Sequence, residues 1–162
     1  MTETFVELAP VPVLRVRADW NGGGPAEAMA RLEAKLPTLK GRRFYGVFRE
    51  KPDGEEYFAC VARVETDDPT HWGVDTGEIP GGRYARRRIR DWEKDLSQLA
   101  VQFREMIRIL GDLVDSERPE IEYYRSQAEM FVLVPVRAPR TEGGKSPSEQ
   151  LPGSRSDGSP SQ

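Results

Sequence analysis

Apolar residues change their spacing several times between positions 3 and 136, and each change predicts an element. "FVELAPVPVLRVRAD" is extended, with Val11, Val13 and Arg15 on one face. Pro10 and Pro12 argue for an edge position or a bulge there. "NGGG" breaks the chain and Pro25 stands near a helix start. "PAEAMARLEAKLP" then aligns Met29, Leu32 and Leu36 on one helical stripe before Pro37 stops it. "RRFYGVFRE" and "EEYFACVARV" are aromatic and β-branched runs joined by "KPDGE", a hairpin signal. After the polar loop "ETDDPTHWG", "TGEIPGGRYARRRIR" reads as a strand with a Pro-Gly-Gly break inside it. From Asp91 to Leu113 the spacing predicts one long helix, its stripe made of Leu96, Leu99, Phe103, Met106, Leu110 and Leu113. "EIEYYRS" and "EMFVLVPV" close the domain as two strands.

The order is β-α-β-β twice over, a duplicated unit of the α+β class. It predicts an antiparallel sheet with two helices packed on one side. Identity between the halves is weak, so the repeat rests on element order. A pseudo-twofold relation between the halves would place a cleft where the two helices diverge across the sheet.

Composition narrows the functions. The chain has 162 residues and a formal net charge of −3, so any grip on a polyanion would have to be local. No apolar run is long enough to span a membrane, and the N-terminus lacks the pattern of an export signal. The one cysteine, Cys60, lies in the apolar run "YFACVARV". It reads as a buried hydrophobe and suits a reducing cytoplasm. Residues 137–162, rich in Ser, Pro and Gly, are expected to be a disordered tail behind a folded unit that ends at 136.

This element order, with "EIPGGRYA", "EIEYY" and "VLVPV" at these places, resembles the GyrI-like small-molecule-binding family over about residues 5–136. That family includes the effector-binding domains of AraC-type and MerR-type regulators and free-standing gyrase-inhibitor-like proteins. The resemblance implies a cleft holding small aromatic or cationic molecules. It also implies a stand-alone member, since no DNA-binding module flanks the unit. Some stand-alone relatives have been assigned hydrolysis of strained cyclopropane-containing toxins.

A cation site in such a cleft needs a carboxylate in an apolar wall, with aromatic faces to replace lost water. In many relatives an acid stands in the last strand, four residues before its proline; here that position is Phe131, and the nearest acid is Glu129. Strand alternation sends both to one face, although Glu129 also reads as a solvated turn residue. Glu122 matches the family's Glu-x-Tyr better, as a ligand or catalytic carboxylate or as the partner of an arginine. Burial would raise its pKa toward the range a general base needs. The aromatic candidates are Phe131, Tyr45, Tyr57, Tyr123, Trp72 and Trp20, with Trp72 read as a lid or an edge plug and Trp92 as a cleft rim or helix packing. His71, the only histidine, is a poor metal or haem signal, and neither a metal nor a cofactor is expected.

"RYARRRIR" puts Tyr84, Arg86, Arg88 and Arg90 on one strand face and Ala85, Arg87 and Ile89 on the other. A single interleaved aromatic makes it a solvated, ion-paired face rather than a nucleic-acid grip. Arg87, on the inner face, needs an acid such as Glu122. The leading expectation is a small-molecule-binding protein for a drug-like or toxin-like ligand. Its alternatives are a hydrolase that activates water with Glu122 or Glu129, and a surface inhibitor of a nucleic-acid enzyme such as DNA gyrase, with a protein as its partner.

Overall fold

The protein is described here from a computed structural model, which covers residues 3–138. Apart from positions 137 and 138, the expected tail lies outside those residues. The strands are β1 (Thr4–Leu8), β2 (Val11–Arg17), β3 (Phe44–Lys51), β4 (Gly54–Ala62), β5 (Asp75–Ile79), β6 (Gly82–Arg90), β7 (Glu120–Tyr124) and β8 (Glu129–Pro135). The helices are α1 (Gly24–Lys35), the single turn α2 (Pro69–Trp72) and α3 (Ser97–Leu110). All eight strands form one curled antiparallel sheet in the order β1-β6-β8-β7-β3-β4-β2-β5. The class is α+β, as the element order predicts.

Two segments expected to be single strands are each divided. Ala9 and Pro10 separate β1 from β2, and Pro80 and Gly81 separate β5 from β6, because proline withholds a ladder donor. The two pieces of each segment then serve different halves. β2 and β5 pair beside β4, whereas β1 pairs β6 beside β8. Read from its centre, the sheet is palindromic. β3 matches β7, β4 matches β8, β2 matches β6 and β5 matches β1, with β3 and β7 joined at the middle. The duplication inferred from element order is thus visible residue by residue.

The expected helix from Asp91 to Leu113 is shorter than its apolar stripe. Asp91 has φ 54, in the left-handed region that Asp tolerates. A 3-10 turn at Trp92–Lys94 follows, then an extended Asp95, whose carboxylate accepts the Ser97 N–H at 3.2 Å. Leu99, Phe103, Met106 and Leu110 pack on the sheet, while Leu96 and Leu113 are exposed.

Two apolar cores lie on the helix side. Leu14, Ala28, Leu32, Ala59 and Val61 bind α1 to the first half. Ala85, Met106, Leu110, Met130, Val132 and Val134 bind α3 to the second. Among the described residues no helix covers the other face; its residues Val13, Tyr45, Cys60, Tyr84, Ile121 and Leu133 are buried against one another in the curl. Burial pushes the Cys60 thiol up to about 12, so it is an unreactive packing group.

Candidate functional site

The centre of the palindrome lies between the two helix-packed cores. There Gly46 of β3 stands opposite Glu122 of β7, and each occupies the place its counterpart holds in the other half. Period-two alternation puts Phe44, Gly46 and Phe48 on the helix side of β3, and Glu120, Glu122 and Tyr124 on that side of β7. Phe44 and Phe48 pack against the first core and Tyr124 against the second.

Glu122 is half-buried and accepts the Tyr124 hydroxyl hydrogen bond. The Tyr124 and Tyr57 hydroxyls are 3.5 Å apart. No lysine or arginine reaches Glu122 within ion-pair distance among the described residues. Burial holds its carboxyl above the usual carboxylate range, and the Tyr124 hydrogen bond offsets only part of that. Both tyrosines are pushed upward by burial and by the Glu122 charge, so they act as hydrogen-bond donors rather than acids.

Gly46 makes the arrangement possible through space. A Cβ there would lie 2.0 Å from the Tyr57 hydroxyl and 2.7 Å from its Cζ. Only a glycine lets the phenol lie across the middle of the sheet toward Tyr124. Glu120 adds a second carboxyl on the same side, raised to about 7 by burial first and then by the neighbouring Glu50 and Glu122 charges. The result is an acidic, aromatic strip between the helices.

Two tryptophans stand in matching places at the beginnings of the two helical segments. The Trp20 indole donates to the Glu55 carbonyl at 2.8 Å, and the Trp92 indole to the Ser126 carbonyl at 3.1 Å. Trp92 also packs on Tyr124, ring centroids 5.1 Å apart. Trp20 is 48% exposed and lines an open cavity of about 540 Å³ with Asp19, Arg17, Glu27 and Arg31. That cavity is polar and lies beside α1, apart from the Glu122 cluster.

The remaining candidates are dispersed. Trp72 is half-buried against the first core, where it acts as a plug. Tyr45, Tyr123 and Phe131 belong to the opposite face and stack edge-to-face, with Tyr45–Tyr123 at 5.0 Å and Tyr123–Phe131 at 6.3 Å. Glu129 shares that face, where Arg88 and Arg125 bind it. The Arg88 hydrogen bond holds its carboxyl below the usual range. The expected Arg87–Glu122 pair does not form. Arg87, 2% exposed, is held by Glu3 from β1's approach and by Gln102 and Glu105 of α3. Its side chain points under α3, whereas Glu122 lies nearer the middle of the sheet.

Sequence reading counted Phe48 and Tyr124 among the aromatic clusters without choosing them for the site, and passed over Glu120 and Gly46. Alternation could have found the first three, since all share Glu122's face once β3 and β7 are paired. The role of Gly46 had no sequence signal.

The architecture is that of the GyrI-like fold, and solved structures alone show it. No protein-family model matches the chain, and no curated protein matches it by sequence. An integron cassette protein from the mobile metagenome of Vibrio cholerae superposes with a TM-score of 0.60 at 14% identity, covering 83% of this chain and 95% of that one. SAV2435 bound to tetraphenylphosphonium superposes with a TM-score of 0.61 at 14% identity, over 85% of this chain and 95% of that one. A hydrolase from Listeria innocua gives 0.56 at 11% identity, over 84% and 92%. Small-molecule binding thus occurs on this fold.

Proposed function

We propose that the strip between α1 and α3 binds a hydrophobic cation, with Glu122 as the counter-ion. The observation that carries this reading is Glu122 itself: a half-buried carboxyl with a tyrosine donor and no basic partner among the described residues. An unpaired carboxylate in an apolar wall is costly, and a cation with a delocalised charge would relieve that cost. Phe48, Tyr124 and Trp92, all half-buried, offer ring faces, each contributing about 0.5–2 kcal/mol to such a ligand. Glu120 adds negative charge above about pH 7. The cation-bound neighbour supports the same class of ligand.

Tetraphenylphosphonium is the direct probe. Calorimetry with the full chain should show saturable binding, weakened at least about tenfold in Glu122→Gln. Absence of binding to the wild-type chain, or equal affinity in the variant, removes the reading.

Hydrolysis remains a second reading because Glu122 and Glu120 both have raised carboxyls in the same strip. Glu129 is unsuited to the role of base, being ion-paired and held ionised. Turnover of a strained electrophile that survives in both Glu122→Gln and Glu120→Gln would eliminate that mechanism.

A further inference from the structure

Comparing the two halves on the face opposite the helices exposes a missing charge. In the first half Arg15 lies over the Phe58 ring at 4.1 Å, and its Nε donates to Asp75 at 2.9 Å. In the second half the equivalent Arg86 lies over the equivalent Phe131 ring at 4.7 Å. Strand register assigns the equivalents directly: Arg15 pairs with Asp75 across β2 and β5, and Arg86 pairs with Thr4 across β6 and β1. Where the first half has a carboxylate, the second has a hydroxyl. Among the described residues Arg86 has no acidic partner.

The neighbouring charges repeat in both halves, which isolates the difference. Arg17 and Lys51 share Glu56 in the first, as Arg88 and Arg125 share Glu129 in the second. Each of those acids already serves two cations. The second half therefore has three arginines to one carboxylate at a place where the first has its extra acid, Asp75. Thr4, Arg86, Arg88, Arg125 and Phe131 also line one cavity of about 310 Å³. Guanidinium groups bind carboxylate and phosphate oxygens in planar, paired geometry, and Arg86 is already stacked and oriented for it.

We propose that this cavity is an oxyanion site, in which a carboxylate or phosphate group of a small molecule takes the place that Asp75 fills in the other half. Arg86 supplies the principal charge, Arg88 and Arg125 flank it, and the Thr4 hydroxyl donates a hydrogen bond. Phe131 offers an apolar wall to the body of the ligand. The site lies across the sheet from Glu122 and takes the opposite charge, so it stands independently of the cation reading.

The test uses the full chain labelled with 15N, titrated with sodium phosphate and with sodium benzoate at constant ionic strength, and with sodium chloride as control. Saturable shifts are expected at Arg86, Arg88, Arg125 and Thr4, with Arg86→Met and Thr4→Asp each weakening binding at least about tenfold. Asp75→Thr should create a second saturable site at Arg15. Preference for benzoate assigns an aromatic carboxylate as the ligand class; preference for phosphate assigns a phosphate ester. Shifts reproduced by chloride, or undiminished binding in a folded Thr4→Asp chain, overturn the site.

Discussion

The two halves share a backbone plan but handle charge in different ways. At the place of Val16, a simple core residue beneath α1, the second half has Arg87, buried beneath α3 and tied to Glu3, Gln102 and Glu105. At the centre, Gly46 in one half answers Glu122 in the other. The first half supplies space and the second supplies charge, and the Tyr57 phenol from the first crosses that space toward Tyr124. A perfectly symmetric dimer of units would have either two glutamates in contact or two glycines. Like charges at that separation would repel, and two glycines would leave no chemistry. Divergence of the halves is what makes a single polar centre.

The comparison can be broken most severely at Arg87. Arg87→Ala should destabilise the fold by about 3–5 kcal/mol in urea unfolding, since it leaves Glu3 without its partner. Burial alone would raise the Glu3 carboxyl, and the Arg87 hydrogen bond and charge bring it below the usual range. A lowered pKa stabilises the fold above the unfolded value near 4.5 and loses that contribution as pH falls. Arg87→Ala should therefore also weaken the acid limb of the stability profile.

Making the centre less asymmetric comes next. Gly46→Ala places a methyl 2.0 Å from the Tyr57 hydroxyl, and should cost about 1–3 kcal/mol by overpacking. It should also displace Tyr57, so that its fluorescence and any binding of tetraphenylphosphonium change together. A stable, normally binding Gly46→Ala chain would mean that the tyrosine has another place to go.

Glu120 gives a smaller effect with a definite sign. Its folded pKa of about 7 lies above the ordinary 4.5. The fold is therefore favoured by this group below pH 4.5 and loses that contribution as pH rises toward 7. Glu120→Gln should leave stability unchanged near pH 4 and raise it at pH 8, by about 1–2 kcal/mol after allowance for solvent screening. Thermal unfolding at the two pH values separates these outcomes. The smallest effect is expected at Arg86, where Thr4→Asp restores the first half's pairing. An exposed ion pair of that kind contributes only about 0–1 kcal/mol, so its stability gain should be slight.

Much of this architecture was legible in the amino-acid order. Alternation in "FYGVFRE", "YFACVARV" and "MFVLVPV" specifies strands, the stripe Leu99–Phe103–Met106–Leu110 specifies a helix, and Asp53–Gly54 specifies the hairpin. The α+β class and the doubled order follow from those local signals, and so does the division of "RYARRRIR" between two faces. Each rests on residues within a few positions of one another, where backbone geometry and burial act together.

Contacts between distant segments were decided only when the sheet closed. Alternation says that Glu129 and Phe131 share a face and that Glu122 and Tyr124 share one. It does not say which face the helices cover. The β7–β8 and β3–β7 registers put Glu122 under the helices and Glu129 on the opposite face among arginines. Likewise, the acid beside Arg87 could not be found by proximity in sequence. Glu3 lies 84 residues away and meets it because the Pro10 break sends β1 to the second half. Local patterning determined the elements and their faces. Long-range pairing determined which charges meet, and so which carboxylate is left for a ligand.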